Sequence, residues 1–122
     1  MTDFPTYFPI PEGAVEPAEV RFTELRVEPW PDGKRVRVHL SLTPFLKLPN
    51  LETFVFDQDG VEIASASIIE TMNFKLVFTL HLRTDDFSQM FYLISQISYI
   101  DLGVVDEKKM EFRTQVSDQV SE

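Results

Sequence analysis

The sequence predicts an all-β protein, an antiparallel sandwich of about seven strands. Three observations lead there. From residue 19 to residue 114 the apolar residues recur with a period of two, not 3.6. Turn residues interrupt that pattern every 8–12 residues or so. The composition is rich in strand formers, with Phe at 11 copies.

Each element follows from local pattern. Residues 1–18 hold four of the eight prolines together with Phe4, Tyr7, Phe8 and Ile10, so they predict an extended arm, part of which docks on the domain. Strand β1 is expected over 19–28. Its phase slips between Phe22 and Leu25, which predicts a bulge at Thr23–Glu24. Strand β2, over 34–43, alternates Val36, Val38, Leu40 and Leu42 with Arg37, His39 and Ser41. Asp32-Gly33 between them is a type I′ hairpin signal, which sets Val27 against Val38 and Leu25 against Leu40.

A proline-bounded loop follows at 44–50. Strands β3 (51–57) and β4 (61–69) flank Asp57-Gln58-Asp59-Gly60. Strand β5, over 74–83, turns Phe74, Leu76, Phe78, Leu80 and Leu82 inward. Strand β6 is expected over 90–100 and β7 over 104–114, with a polar end at 115–122. The hairpins suggest one sheet of β1, β2 and β5 and another of β7, β6, β3 and β4.

That order resembles fibronectin type III and other immunoglobulin-like domains, A-B-E against G-F-C-C′ in their lettering. The stretch PNLE…DQDGVEIASASIIE is similar to small bacterial immunoglobulin-like proteins of unassigned function. The resemblance covers 19–114 and implies a fold without an activity. The Cys…Trp…Cys spacing of antibody domains is absent, and Tyr92 stands where a tyrosine-corner residue is expected.

Composition narrows the function. A 122-residue chain makes one domain with a self-sufficient core. With no Cys there is neither disulfide nor thiolate metal site. The N-terminus lacks the pattern of a signal peptide, and no apolar run approaches the ~20 residues that span a bilayer, so a cytoplasmic location is expected. The net charge is −9, and two thirds of it sits on the two ends. The segment 1–18 has three acids and no base, and the segment 101–122 has six acids and three bases, so each carries −3. This acidic balance speaks against nucleic acid and anionic membrane as partners. The basic run Arg21, Arg26, Lys34, Arg35 and Arg37 is interleaved with Glu24, Glu28 and Asp32 and reads as a solvated face.

No motif carries catalysis, and no cofactor is expected. Asp57–Gly60 starts like a calcium loop, but the strand resumes before six to eight oxygens can gather. His39 and His81 fall on outward positions of neighbouring strands and make at most half a tetrahedral zinc site. Asp85 and Asp86 splay apart in a turn, and Ser65 and Ser67 have no base beside them. The rival to a binding module is therefore an enzyme or metal-binding protein that uses loop carboxylates or His39 and His81.

One sheet is apolar on both sides. β2 and β5 have polar outer faces interrupted only by Val77, whereas β3, β4 and β6 carry apolar residues on both. Which face of β3 points inward depends on the Asp57–Gly60 turn. A type I turn with a glycine bulge pairs Asp57 with Val61 and Val55 with Ile63, leaving Phe54, Phe56, Ala64 and Ala66 outside. A two-residue turn pairs Phe56 with Ile63 and buries both phenylalanines. Asp first and Gly fourth favour the former. Phe54, Phe56, Ala64 and Ala66, with Tyr7 and Phe8 of the arm, are thus the candidate interaction surface. Three occupants would cover that face: a second copy of the chain, the arm folded over it with Tyr7, Phe8 and Ile10, or another protein; the expected use is a homodimer or a protein contact.

Overall fold

The computed structural model describes residues 10–114. Seven strands form two antiparallel sheets: β1 (Phe22–Pro29), β2 (Arg35–Leu42) and β5 (Lys75–His81) in the order β1-β2-β5, and β3 (Asn50–Phe56), β4 (Glu62–Ile68), β6 (Phe91–Tyr99) and β7 (Gly103–Phe112) in the order β4-β3-β6-β7. This is the sandwich the sequence predicts. Period-two alternation makes it so, because one face of each strand must leave water. Along β2, Val36, Val38, Leu40 and Leu42 are buried and the residues between them are half-buried. Along β6 the buried set is Phe91, Leu93, Ser95, Ile97 and Tyr99. Ser95 keeps its place in that core by a 2.6 Å hydrogen bond to the buried Thr53 hydroxyl on β3, so neither hydroxyl is orphaned.

The β1–β2 register sets Val27 against Val38 and Leu25 against Leu40, as expected. The turn that sets it differs. Gly33 has φ +70°, but Asp32 is not in the left-handed region, and a type I′ turn needs both residues there. Instead the Gly33 N–H donates to the Trp30 carbonyl (2.9 Å), which places Pro31 first inside a four-residue turn. Proline's fixed φ suits that position in a type I turn and is closed to type I′. The bulge is where the phase slip places it: Phe22 pairs with Leu42 and Glu24 with Ser41, leaving Thr23 extra. The Phe22 N–H is met from the other sheet by Asp106 Oδ2 on β7, at 2.8 Å.

The chain crosses between sheets through buried anchors. Phe45, 1% exposed, plugs one end of the core from the loop after β2. Its neighbours Pro44 and Leu46 exchange backbone hydrogen bonds with Val15, so the part of the arm nearest the domain docks there. The tyrosine hydroxyl that ties strand to loop belongs to Tyr99, not Tyr92: it donates to the Lys47 carbonyl at 2.8 Å. Tyr92 opens β6 on its outer face and is 38% exposed.

Tyr99→Phe should leave the Lys47 carbonyl without its donor and destabilise the fold by about 1–2 kcal/mol in urea titration. Burial also pushes the Tyr99 hydroxyl up to about 12. Ionisation is therefore easier in the unfolded chain, where the value is 10.0. This stabilising contribution holds below pH 10 and is lost as pH rises towards 12. The variant should lose that part of the alkaline decline.

Candidate interaction surface

The geometry of the surface is set at the β3–β4 turn. The Asp57 N–H donates to the Val61 carbonyl (2.9 Å), and the Gly60 N–H donates to the Asp57 carbonyl (3.0 Å). Asp57 Oδ1 accepts from the N–H groups of Asp59 and Val61, both at 2.9 Å. Gly60 stands at φ +81°, a conformation costly for any residue with a Cβ. This is the type I turn with a glycine bulge, and Oδ1 of Asp57 is taken up by two backbone donors.

That turn directs Leu51, Thr53 and Val55 inward, all at most 2% exposed, and Phe54 and Phe56 outward, half-buried. Their ring centroids lie 6.4 Å apart. β6 continues the patch, because Phe56 pairs with Tyr92 and Phe54 with Ile94. The apolar cluster is therefore Phe54, Phe56, Tyr92 and Ile94. On β7, Glu111 pairs with Tyr92 and Lys109 with Ile94, so charge begins immediately beyond it. Between β6 and β7 lies a depression of about 410 Å³. The Lys109 amine sits 3.5 Å from Glu107 on the same face.

Ala64 and Ala66 are not part of this surface, contrary to the expectation. Phe56 pairs with Glu62, but Val55 pairs with Ala64, so Ile63 is an extra residue in β4. Ile63 turns its carbonyl away from β3, where it accepts the Arg83 N–H at 3.0 Å. One extra residue inverts every later side chain on the strand. Ala64 is 1% exposed and Ala66 packs on the core, while Ser65 and Ser67 face solvent. Tyr7 and Phe8 lie outside the described residues. The sequence shows Tyr92 and Ile94 on one side of β6. Joining them to Phe54 and Phe56 needs the β3–β6 pairing, which no local signal carries.

The two histidines do not meet. His39 pairs with Val77 and Arg35 with His81, so the two imidazoles stand four residues apart, roughly 13 Å along the sheet. His39 Nε2 lies 3.1 Å from Glu28 Oε1, and that hydrogen bond holds the Glu28 carboxyl below its ordinary value. Ser88 does the same for Asp86. Among the described residues no group of three or more His, Asp or Glu is placed to hold a metal ion. Trp30 is covered by the Arg35 guanidinium at 3.9 Å from its ring centroid and by that of Arg37 at 5.2 Å. No helix among the described residues is long and apolar enough to cross a membrane.

Comparison with family models and with curated proteins finds no match. Solved structures do match in fold. A glycosyl hydrolase family 2 member from Bacteroides cellulosilyticus DSM 14838 superimposes over 78% of this chain with a TM-score of 0.57 and 14% identity. A β-glucuronidase from Ruminococcus gnavus, solved with D-glucuronic acid, does so over 78% with a TM-score of 0.53 and 13% identity. The matched part is 15% of the first protein and 16% of the second. At such identity the likeness is one of fold, and this chain spans about a sixth of their length.

Proposed function

We propose that this chain is a non-catalytic assembly module that pairs with a second copy of itself through the outer face of the four-stranded sheet. The observation that carries this reading is the cluster Phe54, Phe56, Tyr92 and Ile94, on a face turned away from the protein's own core. The other sheet offers the contrast. Its outer face carries Arg37, His39, Lys75 and His81 around one exposed apolar residue, Val77, and Glu28 is close to both Arg37 and His39. A two-fold contact brings one patch against itself, so its rim needs charge of both signs. Lys109 between Glu107 and Glu111 supplies them.

Light scattering tests the reading. The wild type should show twice the chain mass of 14.1 kDa, and Phe54→Asp should show a single chain. A second reading has its own support. The matched structures are much longer proteins of which the likeness covers a small part. In that reading the module is an accessory sandwich that rests its apolar face on a neighbouring domain, and the isolated chain is monomeric.

A further inference from the structure

The four sheet edges are not alike. β1 is broken by its bulge, carries Glu24, Arg26 and Glu28, and ends in Pro29. β5 has no bulge and no charge between Lys75 and His81, but a two-fold axis at its middle residue, Phe78, would set those two basic ends against each other. β7 is bulged between its pairs with Ile97 and Ser98 and is charged along its length through Asp106, Glu107, Lys108, Lys109 and Glu111. Charge, proline and bulges are the devices that stop an edge from pairing with another chain. On β4 they stop short. The Ile63 bulge and the Arg83 N–H close one end of it. From Ala64 to Ile68 the sequence is Ala-Ser-Ala-Ser-Ile, with no charge and no proline. Among the described residues no strand lies beyond it.

We propose that this open segment is a second self-association site, at which β4 of one copy pairs antiparallel with β4 of another. The occupant follows from the register. Arg83 confines the free edge to 64–68, whose middle residue is Ala66. A two-fold axis there sets Ala66 against Ala66, Ser65 against Ser67 and Ala64 against Ile68. Small polar side chains then meet on the outer face and apolar ones on the inner, with no like charges opposed. Glu62 and Glu70 fall outside the paired stretch. The two four-stranded sheets become one across the axis. One short strand on each side buries far less than a stable interface needs, so the contact forms only at high protein concentration.

The site goes beyond the face contact and does not depend on it. A face-to-face dimer still has two open β4 edges. Wild-type mass should therefore rise past that of two chains as concentration increases, because two different two-fold contacts need not close.

The test is light scattering over a concentration series on the wild type, on Phe54→Asp, and on Phe54→Asp that also carries Ser65→Lys and Ser67→Lys. Both serines are exposed, so the fold should stand, and the proposed register places Lys against Lys. Ser65 pairs with Phe54, so the lysines are introduced where the face contact is already removed. Phe54→Asp should climb from one chain to two, and the lysine variant should stay a single chain. Mixing it with Phe54→Asp that carries Ser65→Glu and Ser67→Glu should restore the climb. If Phe54→Asp stays a single chain throughout, or the lysine variant climbs as it does, the edge proposal is overturned. If the wild type and Phe54→Asp climb alike from one chain to two while the lysine variant stays a single chain, the edge stands and the face reading fails.

Discussion

Replacing Phe54 with aspartate is expected to convert a two-chain particle into a single chain while leaving the fold intact. Phe54 is already half-buried in its own chain, so each copy would lose about half of the roughly 1.5–3 kcal/mol of a full phenylalanine burial, and the two-fold axis doubles the loss. At about 1.4 kcal/mol per tenfold, dimer dissociation should rise by at least ~10-fold. The new carboxylates would add a desolvation cost if they entered an apolar contact. The fold should survive because the side chain points away from the core: its strand neighbours Thr53 and Val55 fill the interior, at 1% and 0% exposed. Circular dichroism should therefore remain that of the wild type. A Phe54→Asp protein of unchanged mass would contradict a contact at this residue.

Phe45→Ala is expected to have the largest effect on stability. Phe45 sits at an end of the core with only 1% of its surface exposed, and it meets Phe74 edge-on at 6.5 Å. Truncation removes those contacts and leaves a cavity at a point pinned on both sides, since Pro44 and Leu46 are both bonded to Val15. The pinned loop cannot readily collapse into the gap. A loss of about 3–5 kcal/mol is expected, a large part of the roughly 5–15 kcal/mol that holds a typical domain together. Urea unfolding should show a lowered midpoint with an unchanged slope. A loss under about 1 kcal/mol, within the range of an ordinary point substitution, would show that the loop is not a structural anchor.

The fold is legible where burial on one face imposes a period. β2 has a single reading, and its hairpin partner follows because the apolar pattern and the turn agree on register. The Asp57–Gly60 turn is legible for a chemical reason: Asp first and Gly fourth supply the carboxylate acceptor and the positive φ that the turn uses. What escapes is non-local. The Ile63 bulge depends on Arg83, far along the chain, taking a carbonyl that the ladder to β3 gives up. Without that contact, simple alternation puts Ala64 and Ala66 on one face with Phe54. The pairing of Phe54 with Ile94 joins strands distant in sequence, and apolar residues on both faces of β6 allow either side of it to be outermost. His39 and His81 look like neighbours because their strands are, and only the register separates them. Pro31 is masked as a turn former because Asp-Gly is the stronger hairpin signal, although both lead to one register.

On the proposed reading, the outer face of the four-stranded sheet joins two copies of this chain. Sedimentation equilibrium of the wild type at low micromolar concentration, where the weaker edge contact is absent, tests it most directly. The predicted result is a mass of two chains, falling to the single-chain 14.1 kDa only on further dilution. A single-chain mass across the whole series would contradict it.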